Sequence, residues 1–129
     1  MRNDTYLFRH VKSEEFYHSG FVNSAVFVPR LKEDWLLSVY DGENMGAKES
    51  ADRWLSLYPG TIVAVVAVTQ EDCRDVKGYN LPILPSKKPE FEEHMEIDFR
   101  IIESTHRKSV VGKELRDRAA KYGFLWKDK

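Results

Sequence analysis

Ile62-Val63-Ala64-Val65-Val66-Ala67-Val68, set between Pro59-Gly60 and Gln70-Glu71-Asp72, decides the fold. An unbroken run of β-branched and small apolar residues, bounded by turn and polar residues, reads as a strand covered on both faces. A helix is disfavoured because the run is short and rich in Val and Ile. The segment is expected as the central strand of one sheet, with the other elements packed over it.

Working back from that strand, Gly46 to Tyr58 predicts a helix. Ala47, Ala51, Trp54, Leu55 and Tyr58 form one apolar stripe, while Lys48, Glu49, Asp52 and Arg53 take the other side. Asn44 is the expected N-cap and Pro59-Gly60 the stop. Leu36 to Tyr40, closed by Asp41-Gly42, reads as the preceding strand. Strand, helix and strand in succession predict a crossover, right-handed if the two strands are parallel. Phe21 to Val28 has strand character and ends at Pro29. Its connection to Leu36 is short enough for an antiparallel hairpin. Phe16 to Gly20 reads as a turn or short helix, and Tyr6 to Val11 as a first strand.

Beyond the run, Glu71 to Pro89 holds Gly78, Pro82, Pro85 and Pro89 and is expected as loop with at most one short strand. Met95, Ile97, Phe99 and Ile101 then alternate with His94, Glu96, Asp98 and Arg100, predicting a strand with one buried and one polar face. Ser104 or Thr105 can cap a second helix whose stripe is Val111, Leu115, Ala119 and Tyr122. Gly112 weakens that helix and Gly123 ends it, so that Phe124-Leu125-Trp126 can fold back on the core. The expectation is a single α+β domain over residues 1–129: one mixed, mostly antiparallel sheet with two main helices packed on it.

Composition fits this picture. At 129 residues, with 42% hydrophobic and 32% charged, the chain has the size and make-up of one soluble globular domain. A net charge of -1 gives no global pull toward nucleic acid or an anionic membrane. The single cysteine, Cys73, excludes an intrachain disulfide and a multi-cysteine metal site, and a reducing cytoplasm is the natural compartment. No apolar run approaches the ~20 residues that span a bilayer, and Met1 to Thr5 lacks the apolar stretch of a signal peptide. No cofactor fingerprint is present: Gly42, Gly46 and Gly60 do not form a phosphate loop, and Glu43 would repel a phosphate.

Two groups of residues could carry chemistry. His94, Glu96, Asp98 and Arg100 share the polar strand face, where an imidazole beside carboxylates could act as acid and base or bind a metal. The plainer account is a solvated face with cross-strand ion pairs. Arg9-His10 is the second group, with at most one of the two on any given face. The plainer account there is an Arg snorkelling at a strand edge. His18 and His106 have no evident partner. Glu71, Asp72 and Asp75 around Cys73 would raise a thiol pKa, which argues against a nucleophile. The second helix is basic, with Arg107, Lys108, Lys113, Arg116, Arg118 and Lys121, but no nucleic-acid motif accompanies it, so a solvated outer face is the better account.

Leu7-Phe8-Arg9, Ser24-Ala25-Val26-Phe27, Leu37-Ser38-Val39, Val65-Val66 and His94-Met95-Glu96-Ile97 together resemble a group of small uncharacterised bacterial proteins. The resemblance spans most of the chain. It implies the same fold, carries no activity, and points to Arg9, Ser38 and His94 as polar positions of interest. Two functions are expected. The favoured one is a small cytoplasmic binding module acting through a protein partner or self-association, in a toxin–antitoxin or phage-defence setting. The alternative is a small enzyme acting on a nucleotide-like or phosphorylated substrate. In it His94 with Asp98 would be the acid-base pair, and Arg9 or Arg100 the anion clamp.

Overall fold

The computed structural model describes residues 1–15 and 20–128 and shows an α+β fold. The turn expected at Phe16 to Gly20, and His18 with it, lies almost wholly outside the described residues. Six strands, β1 (Tyr6–Val11), β2 (Leu36–Asp41), β3 (Ala64–Thr69), β4 (Ile83–Pro85), β5 (His94–Asp98) and β6 (Trp126–Lys127), form one sheet in the order β4-β5-β2-β1-β3-β6. Every neighbouring pair is antiparallel. The helices are α1 (Ala47–Leu57), α2 (Gln70–Asp75) and α3 (Thr105–Tyr122).

β3 is buried along its whole length, as an uninterrupted apolar run requires. It is not the centre of the sheet. β1 lies on one side of it, and on the other only the two-residue β6, where Val65 faces Trp126. β2 and β3, each antiparallel to the β1 between them, run parallel to one another. The crossover through α1 therefore straddles a third strand.

The sheet is covered on both faces. One face packs Leu7, Val66, Val68, Ile97 and Phe99 against Val111, Leu115 and Ala119 of α3. The other packs Phe8, Tyr40, Val65 and Ala67 against Ala51 of α1 and Phe91. Ser104 caps α3 by accepting from the Arg107 N–H, and Thr69 caps α2 by accepting from the Asp72 N–H. Asp72 returns the favour at the Thr69 N–H, a reciprocal box at the start of a helix that the sequence reading had as loop.

The strand expected at Phe21 to Val28 is not formed. Ser24–Phe27 is a 3-10 turn capped by Asn23, whose side chain accepts from the Ala25 N–H. The expected hairpin with β2 is absent for the same reason, and β2 pairs with β1 and β5 instead. Gly112 explains where the turn sits. A Cβ there would lie 2.3 Å from Val28 Cγ2 and 2.8 Å from the Phe27 carbonyl oxygen, so the bare glycine lets α3 press directly on the turn. The α1 cap is Gly46 rather than Asn44. Gly123 ends α3 at a φ of 73°, and the following residues do fold back, with the Leu125 N–H donating to the Val65 carbonyl.

Candidate functional site

β1 and β2 are paired only at Leu7↔Asp41 and Phe8↔Tyr40, with the Gly42 N–H donating to the Tyr6 carbonyl beyond. Past Phe8 the two strands part, although β1 stays paired with β3 as far as Val11↔Ala64 and β2 stays paired with β5 as far as Leu36↔Asp98. The sheet is split down its middle at that end. Arg9 fills the head of the split: its Nε donates to the Val26 carbonyl at 2.8 Å and its Nη1 to the Ser38 carbonyl at 2.7 Å. One bond ties β1 to β2 where the ladder has failed, and the other holds the 3-10 turn beneath them.

A cleft of about 670 Å³ opens from this split, within the range of small-molecule and peptide sites. Its floor carries Arg9, His10, Ser38 and Tyr40. Trp54 from α1 and Tyr58 at its C-cap, with Ile62 and Phe91, form an aromatic and apolar wall. The rim is charged in both signs, with Lys12, Arg30 and Lys88 among Glu14, Glu15, Glu33 and Glu90. A second hollow, along Lys48, Glu49, Asp52, Arg53 and Ser56, belongs to the surface of one helix alone.

Within the cleft His10 stacks on Tyr40, ring centroids 4.3 Å apart and planes 10° from parallel, with Trp54 edge-on at 5.3 Å. The His10 Nε2 is 2.8 Å from Ser50 Oγ, while its Nδ1 is buried without a hydrogen-bond partner among the described residues. Burial, seconded by the Arg9 charge, pushes the His10 pKa down to about 3, so the ring is neutral near pH 7. Burial likewise pushes Tyr40 up to about 12. The Arg9 guanidinium is lowered from its usual value, again chiefly by burial, with Glu15 and Glu33 opposing. It stays charged nonetheless, since guanidinium is not deprotonated in proteins. Among the described residues no carboxylate comes within ion-pair distance of it.

The residues singled out in the sequence fall in three places. Arg9 and the Ser38 backbone meet at the split. His94 does not join them. It is 1% exposed, beside Tyr40 at 5.4 Å, its Nδ1 2.7 Å from the Ser86 carbonyl oxygen and its Nε2 buried without a hydrogen-bond partner among the described residues. Burial lowers its pKa. Asp98 and Arg100 pair with each other: Arg100 Nε and Nη2 each donate to the carboxylate at 3.0 Å, holding Asp98 below the usual range. Arg100 follows the end of β5 and also approaches Asp34 at 3.7 Å. The expected row of His94, Glu96, Asp98 and Arg100 on one solvated face is thus corrected. The sheet is covered on that face too, His94 and Asp98 are buried, and Ile101, expected in the core, is 48% exposed.

Tyr40, Trp54 and Phe91 were missed as site residues, because aromatic residues in strands and helices read as core. A signal was nonetheless present: an arginine inside an otherwise apolar strand must find acceptors, and acceptors within a sheet are free only where pairing stops. Cys73 is buried, and burial together with Asp72 and Asp75 raises its thiol pKa, as its neighbours suggested. The described residues contain no cluster of three metal-ligating side chains and no helix long and apolar enough to cross a membrane. No family model, curated protein or solved structure matches the chain.

Proposed function

We propose that the protein is a binding module that engages a protein partner through the cleft at the split. The observation that carries this is the aromatic wall beside a guanidinium that has no carboxylate partner among the described residues, ringed by charges of both signs. Aromatic and arginine anchors inside a polar rim are the composition of protein recognition surfaces. Acid-base chemistry has less support. The His10 ring titrates near 3 and Tyr40 near 12, so neither exchanges a proton readily near neutral pH. The enzyme reading through His94, Asp98 and Arg100 is weakened by geometry as well, since Arg100 already holds Asp98 and His94 faces Ser86.

Tyr58 is 45% exposed and Lys88 is exposed, so Tyr58→Ala with Lys88→Glu alters the rim at a cost of about 1 kcal/mol or less. Tagged wild-type protein and this variant, matched for folding by thermal melts, are used to capture partners from the producing cell. A partner held by the wild type and depleted about tenfold on the variant supports the reading. Equal recovery by the two, including recovery no better than the tag alone, refutes it.

A further inference from the structure

We propose that the cleft takes the free C-terminal carboxylate of its protein partner, with the last side chain of that partner against Trp54 and Phe91. This rests on the cleft being the protein-binding site. Besides the His10 Nδ1, two polar groups of Arg9 and Tyr40 on its floor have no hydrogen-bond partner among the described residues. Arg9 uses Nε and Nη1 on backbone carbonyls, and its Nη2 makes no hydrogen bond with any described residue. The Tyr40 hydroxyl makes none with any described residue, and the Arg9 charge acts on it directly. A guanidinium edge and a phenol together suit a planar, singly charged oxyanion.

The lining charges decide which anion. Arg9, Lys12, Arg30 and Lys88 are balanced by Glu14, Glu15, Glu33 and Glu90, and Arg30 is already paired with Glu33 at 3.3 Å. A nucleoside polyphosphate or a nucleic-acid strand would meet four carboxylates and gain little. A single carboxylate flanked by neutral peptide needs only Arg9 and Tyr40. A chain terminus offers more than an internal Asp or Glu. Its carboxylate and side chain leave the same Cα, so one residue reaches both the cation and the aromatic wall, and only one chain has to leave the cleft. What is left of the cleft's volume of about 670 Å³ then accommodates the residues before it.

The test uses the intact ¹⁵N-labelled protein and a set of acetyl-Ala-Ala-Ala-X peptides, one for each amino acid at X. Each is prepared as the free acid and as the C-terminal amide. The matching N-acetyl amino acids form the third arm. Acids with apolar or aromatic X should shift the amides of Arg9, Tyr40, Trp54 and Phe91 at millimolar concentration, and bind about tenfold or more tighter than their amides. Equal binding of acid and amide overturns the carboxylate assignment while leaving the cleft a peptide site. N-acetyl amino acids that bind as well as the peptides overturn the partner terminus in favour of a small carboxylic acid. Absence of shifts for every acid overturns the inference outright, independently of the capture experiment.

Discussion

Replacing Arg9 by methionine tests whether the split is held together by its guanidinium. Methionine keeps an unbranched stem of similar reach and fills irregular gaps, so packing of the aliphatic part is largely preserved. What is lost is the bond to Val26 at 2.8 Å and the bond to Ser38 at 2.7 Å. Hydrogen bonds with a charged donor contribute about 1.5–3 kcal/mol each. Two effects reduce the sum: water in the cleft can reach the orphaned carbonyls, and the desolvation that lowers the Arg9 pKa is relieved. A net loss of about 2–4 kcal/mol is expected. For a chain of 129 residues that is a fall in Tm of about 10 °C. Urea melts followed by tryptophan fluorescence give the number directly, and Arg9→Lys, which keeps the charge without the fork, should fall between. A loss under about 0.5 kcal/mol for Arg9→Met would mean that the two carbonyls are satisfied without it, and that the split does not depend on Arg9.

Two further outcomes are expected. Gly112→Ala should destabilise by about 1–3 kcal/mol although alanine is the better helix former, because the new Cβ meets the Phe27 backbone oxygen at 2.8 Å; a stabilised variant in the same melts would place α3 farther from the turn. His10 should impose a pH dependence whose sign follows from its lowered pKa. The unfolded ring takes a proton near 6.5 and the folded ring only near 3, so stability falls as pH drops through that window and levels off below it. His10→Phe should make this limb of the stability–pH curve between about 6.5 and 3 shallower, leaving the part that His94, whose pKa burial also lowers, imposes. An NMR titration placing the His10 pKa in the folded protein near 6.5 would sink the argument.

Much of the architecture was legible because apolar period and length are local properties. The Ile62–Val68 run, the α1 and α3 stripes and the alternation through β5 each follow from side chains within one element. The α2 box and the Gly46 cap are local features that the sequence reading passes over, whereas the other misreadings depend on contacts between distant elements. Phe21 to Val28 is apolar because it packs beneath α3 at Gly112, not because it lies in the sheet. Alternation in β5 separates two faces, but whether the polar one meets water depends on what lies against it: Tyr40 and the Ser86 carbonyl at His94, and Arg100 at Asp98. The candidate site was half legible. Arg9 stands out beside His10, and Ser38 only through the resemblance, whereas their meeting depends on a ladder that ends at Phe8 and Tyr40. Nothing within either strand marks where pairing stops.

The insertion of β1 between the parallel strands β2 and β3 also sets the order in which the chain can assemble. Tyr6 lies opposite Thr69 and Val11 opposite Ala64, so the longest ladder in the sheet joins segments roughly 60 residues apart. Val65 meets Trp126 across a similar distance. Loops of that size close slowly, and non-local pairing of this kind places a domain toward the slow end of two-state folding. During synthesis β1 leaves the ribosome long before β3 exists, and until then the apolar faces of Leu7, Phe8 and Val11 have no sheet to enter. β2 can pair with β1 early through Leu7↔Asp41 and Phe8↔Tyr40, but two residue pairs make a weak hairpin. The ladder of β3 on β1, six residues long, is the first long pairing open to the chain as it is made; it places α1 across the sheet and leaves the β1–β2 edge open where Arg9 sits.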